Sequence, residues 1–301
     1  TWALESSNQQ SIVRKTNMHP LHHTVSMHYA QTIVASARRG GIEVGKLLDA
    51  AGLDESVTDK VKLRMTAEQF SQLLLAFWQQ ADDEFLGMAS GESRHGTFTM
   101  MAKQAVFQTD LRGVYVHLSR FYHLINQGLC GQLEETDQEA AFVIHRKRPE
   151  LDPDNTLLEF FMLLWHRFPG WLVGKRTPLL RVELSYPKPE HYQEFSLIFP
   201  CPVQFDSSRD ALVMEPESLD RAVIQTPQAL RKHLKDAPLN WVTRQTYSPQ
   251  FTRKTLDFLE KSPVIGETRI DDLAEQLHIT SRTLRRRLTE ENTSFQELKD
   301  R

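Results

Sequence analysis

Arg269-Ile-Asp-Asp-Leu-Ala-Glu-Gln-Leu-His-Ile-Thr-Ser-Arg-Thr-Leu-Arg-Arg-Arg-Leu288 divides into two short helical patterns around a three-residue break. Ile270, Leu273, Ala274 and Leu277 recur at intervals of three and four, which puts them on one face of a helix, with Asp271, Asp272, Glu275 and Gln276 turned outward. His278, Ile279 and Thr280 interrupt the pattern. Ser281, a good N-cap, then opens a second helix in which Leu284 and Leu288 lie one above the other. Two short helices joined by a tight turn predict a helix-turn-helix. A small residue, Ala274, stands where the two helices would cross, and Ile279 can fill the space under the turn.

With Leu284 and Leu288 inward, the helical turn of 100° per residue places Arg282 and Arg286 on the opposite face, Thr283 beside them, and Arg285 and Arg287 on the flanks. Ser281–Leu288 thus carries basic charge and no acid. The major groove admits an α-helix, and an arginine fork bonds a guanine edge through two hydrogen bonds, while other arginines and hydroxyls meet phosphates. Arg282, Thr283 and Arg286 are therefore candidates for base edges. Arg285 and Arg287 are candidates for phosphates, with Ser281 at the helix start completing the set. The plain alternative is a solvated basic helix on an ordinary bundle; the coincidence of the arginines with the turn spacing favours the DNA reading.

The run from Leu273 to Leu288, followed by Thr293-Ser-Phe-Gln-Glu-Leu298, resembles the first helix-turn-helix of the AraC/XylS family of bacterial transcription regulators. The resemblance implies two helix-turn-helix units joined by a long helix, each reading its own major groove. In this sequence Ser294–Arg301 would only begin the joining helix, and the second unit is missing.

The rest of the chain bounds the function from outside. Its 301 residues suggest two domains or one large one, with 40% apolar residues to build cores. A net charge of −3 gives no general affinity for nucleic acid, so any DNA contact must be local. Cys130 and Cys201 are the only cysteines and are far apart in sequence, which fits a reducing cytoplasm and offers no disulfide or metal framework. The apolar run Phe160–Trp165 stops at His166 and Arg167, so no membrane span is expected. Thr1–Asn17 is polar and reads as a leader outside the fold.

In order along the chain, helices are expected at His22–Arg39, Val44–Ala51, from Thr66 through Trp78 with a Thr66/Gln69 capping box, at Thr99–Phe107 and at Leu111–Ile125. Leu129–Glu134 and Ala140–Arg146 read as a hairpin, Asn155–Leu172 as a helix, Leu179–Ser185 as a strand and His191–Phe199 as a helix. Pro202–Phe205 and Ala211–Met214 read as further strands. The fold class is α+β: a mixed helix and sheet domain over 18–224, a proline-bearing linker over 225–248, and an all-α partial DNA-binding domain over 249–301. The last opens on a helix Phe251–Leu259 with Phe251, Leu256 and Leu259 as core candidates. The order Tyr186-Pro, His191-Tyr, Leu197–Asp206 and Ala211–Met214 also resembles the arabinose-binding-type sensing domain of one branch of the same family. That resemblance implies a small-molecule effector and a homodimer acting on double-stranded promoter DNA, with RNA polymerase as a further partner.

Other chemistry is weaker. His19, His22, His23 and His28 supply imidazoles, but no acid or thiol completes a tetrahedral set, so a polar start is the better reading and no metal or cofactor is expected. His166, Tyr115, Phe121, Tyr122, Trp165 and Trp171 could line an effector pocket, although at helical spacing such residues are more often core; the effector-binding residues stay unassigned. There is no phosphate-cradling glycine loop and no nucleophile elbow, and Gly91-Glu-Ser-Arg-His-Gly96 reads as a loop, so no enzyme is expected. The competing function is a sensing and dimerisation module that works through protein contacts without touching DNA.

Overall fold

The computed structural model describes residues 24–58, 63–125, 128–199, 201–243, 251, 254–255, 258–259, 268–277, 279–290 and 293–299. Strand β1 (Thr24–Ser26) pairs antiparallel with β2 (Arg64–Thr66), and each leads directly into a helix. The single helix expected over His22–Arg39 is therefore shorter at its start: β-branched Thr24 and Val25 take up the strand. The Ser26 side chain accepts from the backbone N–H of His28 and caps α1 (Met27–Arg39). α2 (Val44–Ala51) ends at Gly52, whose φ of 61° makes a left-handed cap in which the N–H groups of Gly52 and Leu53 donate to the carbonyls of Asp49 and Leu48. α3 (Glu55–Thr58) follows. The capping box of α4 (Ala67–Ala81) forms as expected: Gln69 N–H donates to Thr66 Oγ1 at 3.1 Å and Thr66 N–H to Gln69 Oε1 at 2.9 Å.

α5 (Thr97–Ala105) and α6 (Leu111–Ile125) precede the hairpin β3 (Leu129–Glu135) and β4 (Ala140–Arg146). With β5 (Arg181–Glu183), β6 (Val203–Gln204) and β7 (Asp210–Met214), the hairpin builds a sheet in the order β3-β4-β7-β5-β6; only β5 and β6 are parallel. Strand alternation sends Phe142 and Leu212 into the main core, and Ala141, Val143, Ala211 and Val213 to the opposite face. On that face Arg181 and Arg209 are paired with Glu134, Glu139 and Glu183. Small apolar side chains on this outer face thus lie beneath a lattice of ion pairs.

Against the inner face lie α6 and α7 (Thr156–Leu172), the last apolar almost all round its circumference; α1 and α4 join the same core, α1 packing on α7, and α8 (Gln193–Ile198) follows β5. α9 (Pro227–Lys235) and α10 (Leu239–Val242) fall in the stretch expected to be linker, yet Leu230 and Trp241 are buried in this first core. The prolines that suggested a linker stand at helix starts, Pro227 just inside α9 and Pro238 at the N-cap of α10. A second, separate cluster gathers Leu259, Leu273, Ala274, Leu284, Leu288 and Leu298. This mixture of helix and sheet in one core with an all-helical cluster after it is an α+β architecture.

Candidate nucleic-acid interface and buried cavity

α11 (Ile270–Gln276) and α12 (Ser281–Glu290) form the expected pair of helices. Leu277 N–H donates to Leu273 O at 3.0 Å and Ile279 N–H to Ala274 O at 3.0 Å, so the chain leaves α11 in a tight turn. Ala274 is buried at the contact and Ile279 packs against the cluster from its edge. The N-cap of α12 is Thr280 rather than Ser281: its hydroxyl accepts from Thr283 N–H at 3.1 Å, and its carbonyl takes the first helical bond from Leu284. Either hydroxyl satisfies a cap; the turn closes one residue earlier than sequence suggested. That leaves the Ser281 hydroxyl to donate to the Asp271 carboxylate and tie the two helices together.

Leu284 and Leu288 are fully buried, which fixes the rotation of α12. Arg282, Arg285 and Arg286 are exposed, whereas Ser281, Thr283 and Arg287 are half-buried. The Thr283 hydroxyl shares a hydrogen bond with that of Thr280 at 2.9 Å, and the Arg287 guanidinium lies 6.0 Å from the ring centroid of Phe251. Leu256 lies outside the described residues, as do His19, His22, His23 and His278. α13 (Phe295–Lys299) covers the cluster with Leu298.

The aromatic candidates for an effector pocket lie elsewhere in the core. Tyr115 donates to Trp165 O at 3.1 Å, Tyr122 is packed against Phe161 and Trp165, and the His166 ring meets Thr177 O at 2.8 Å in full burial. Sequence reasoning missed the feature that does form a cavity. About 190 Å³ of space lies along one stripe of α7, at Thr156, Glu159, Phe160, Leu163 and Arg167, and is bounded by side chains from β1, α1, α4, α8 and α10. Glu159 sits at its polar end, 2% exposed. The hydroxyls of Tyr29 and Tyr186 each donate to it at 2.6 Å, and His191 Nε2 stands 3.1 Å from both carboxylate oxygens. Burial first, then the Glu159 charge, pushes the Tyr29 phenol well above its usual value, so Tyr29 stays a donor. His28, which sequence placed in a polar start, stacks on His191 with centroids 4.0 Å apart; burial holds its pKa below the usual histidine value. Glu194 lines the same end and is paired with Arg64, which donates to it at 3.0 Å through Nη2 and also through Nη1. The available signal was Glu159 itself, an acid in the midst of Leu157-Leu158 and Phe160-Phe161, where a charge is almost never buried without a purpose.

Among the described residues no group of three or more His, Cys, Asp or Glu side chains is arranged to hold a metal ion, and no helix is long and apolar enough to cross a membrane.

Residues 41–223 match the family model of the arabinose-binding domain of AraC transcription regulator, N-terminal. Over 279 residues the chain is 23% identical to the ornithine utilization regulator of Pseudomonas aeruginosa, covering 92% of this chain and 81% of that one. The crystal structure of the transcriptional regulator CdpR from Pseudomonas aeruginosa aligns over 91% of this chain and 82% of its own, at 14% identity and a TM-score of 0.36.

Proposed function

We propose that this chain, which belongs to the family of AraC transcription regulators with an N-terminal arabinose-binding domain, binds promoter DNA through Ser281–Glu290 under the control of a small effector held by its first domain. One observation carries the DNA reading: burial of Leu284 and Leu288 turns Arg282, Arg285 and Arg286 together into solvent, on a helix that no acid interrupts from Ser281 to Leu288. On this reading Arg282 and Arg286, about one helical turn apart, take base edges. Thr283 stands beside them, Arg285 and Arg287 serve the phosphates, and Ser281 stays in the set at the start of the helix. The protein works in the cytoplasm as a homodimer whose two-fold symmetry is matched by paired half-sites, and it meets RNA polymerase at the promoter. The cavity beneath α7 supports the sensing half of the reading, because it is concave, mostly apolar and carries a few convergent polar groups.

The test selects duplexes from a random pool with the wild-type chain and measures their affinity by fluorescence anisotropy. Arg286→Ala should cost about 1–3 kcal/mol and relax the preference at one base pair. Arg287→Ala should weaken every duplex alike and reduce the slope of log affinity against log salt by about one. Enrichment of no duplex, or equal losses on selected and scrambled DNA for both variants, would refute the assignment.

A further inference from the structure

The cavity beneath α7 has an uneven electrostatic lining. Its walls are aliphatic and aromatic, with Ile33, Leu74 and Leu163 among them, but one end presents Glu159 and Glu194. Glu194 has its opposite charge at hand in Arg64. Glu159 is met instead by two phenols, Tyr29 and Tyr186, and by the imidazole of His191. A carboxylate withdrawn from water into apolar surroundings is costly, and hydrogen bonds from neutral donors offset only part of that cost. The phenol of Tyr29 donates its one proton to Glu159 and keeps acceptor lone pairs. The rings of Tyr29, Phe70 and Phe160 stand in the same lining, and aromatic rings attract cations through their faces. Acceptors, an anion and aromatic rings thus share the lining with apolar side chains. We propose that the cavity is the effector site and that it takes an organic ammonium ion with an apolar body, the N–H groups directed at Glu159 and the hydrocarbon lying along Phe160 and Leu163.

This rests on the first domain being the sensor. The volume corresponds to about six waters of the liquid at ~30 Å³ each, the scale of a short alkylamine. A carboxylate ligand would meet Glu159 and Glu194 as like charges, and a neutral alcohol would bring hydrogen bonds without the charge. At the opposite end of the stripe Arg167 donates to Thr243 O at 2.7 Å and also to Trp241 O, so its guanidinium is engaged with backbone carbonyls there.

Isothermal titration of the full chain with n-hexylamine, hexan-1-ol and sodium hexanoate at pH 7.5 separates the three ligand chemistries at nearly constant shape. The amine should bind tighter than the alcohol by roughly tenfold or more, and hexanoate weakest of all. Glu159→Gln should erase the preference for the amine over the alcohol. Leu163→Trp, which leaves Glu159 and its three partners in place and fills the cavity, should abolish binding of all three. Equal binding of amine and alcohol, tightest binding of hexanoate, or no binding of any probe would overturn the proposal. So would an unchanged preference in Glu159→Gln, or undiminished amine binding by Leu163→Trp. If Glu159→Gln does not fold by circular dichroism, the Leu163→Trp titration decides. Duplex binding without amine is scored separately with Arg286→Ala, so failure of the DNA reading and failure of the amine site give different patterns.

Discussion

Replacing His233 with Gln isolates a pH-dependent contact between α9 and the first core. His233 is 8% exposed, its ring is stacked on Trp171 at 4.0 Å between centroids, and its Nε2 accepts from the Trp241 indole at 3.2 Å. Burial lowers its pKa to about 4, against 6.5 for the free side chain. A folded pKa below the unfolded one means that the unfolded chain takes up the proton first. The contribution is therefore complete above pH 6.5 and is lost as pH falls from there toward 4. Between pH 7.5 and pH 5 a single such histidine forfeits about 2 kcal/mol. The whole protein will not display this loss openly. Burial lowers His166 to about 4 in the same way, whereas burial raises Glu84 to about 7 and Asp152 to about 6. For these acids the sign reverses: folded pKa values above the unfolded ones add stability as pH falls, together about 4 kcal/mol over the same interval, which offsets the two histidines. The informative quantity is thus the difference between wild type and His233→Gln in urea unfolding, measured at both pH values. Wild type should lead at pH 7.5, and its lead should shrink by about 2 kcal/mol at pH 5. A lead that is independent of pH would refute the claim that His233 is held neutral by burial.

Leu284→Ala should cost about 2–5 kcal/mol in a cluster with six buried residues among the described ones, abolishing duplex binding while hexylamine titration is unchanged; retained duplex affinity would contradict the packing argument. Gly131→Ala puts a Cβ 2.2 Å from Cζ of Phe142 across the β3–β4 pair, and the resulting repacking should lower urea stability by about 1–3 kcal/mol with amine binding kept.

The two helices around the turn were legible because their signal is local: a period of 3.6 in Ile270, Leu273, Ala274 and Leu277, then Leu284 and Leu288 one turn apart. The α4 capping box and the β3–β4 hairpin were legible for the same reason. The boundary errors have physical causes. β1 is three residues long and exists only because β2, from far along the chain, pairs with it. The supposed linker looked unstructured because prolines punctuate it, yet proline is at home at a helix start, and the burial of Leu230 and Trp241 depends on partners distant in sequence. Glu159 is an acid in an apolar helix, a signal the sequence reading passed over, and its meaning needs Tyr29, Tyr186 and His191, whose separations of 130, 27 and 32 residues no local pattern encodes.

α7 bears both ends of the argument about regulation. Glu159 and Arg167 are eight positions apart on one helix, about 12 Å along its axis, and both line the cavity. Arg167 grips the carbonyls of Trp241 and Thr243 at the end of α10, and Val242 between them also lines the cavity. Beyond Thr243 the sequence runs through 244–250 to Phe251, whose ring lies under Arg287 of α12. An occupant at Glu159 therefore fills space bounded by the residues that anchor the chain just before it reaches the second core. Any influence of that occupant on DNA must equal the difference in its affinity for the DNA-competent and incompetent arrangements, and DNA must alter amine affinity by the same factor. A site whose walls include the anchor itself can supply such a difference, since the amine would pack against Arg167, which holds α10, and against Val242 of α10.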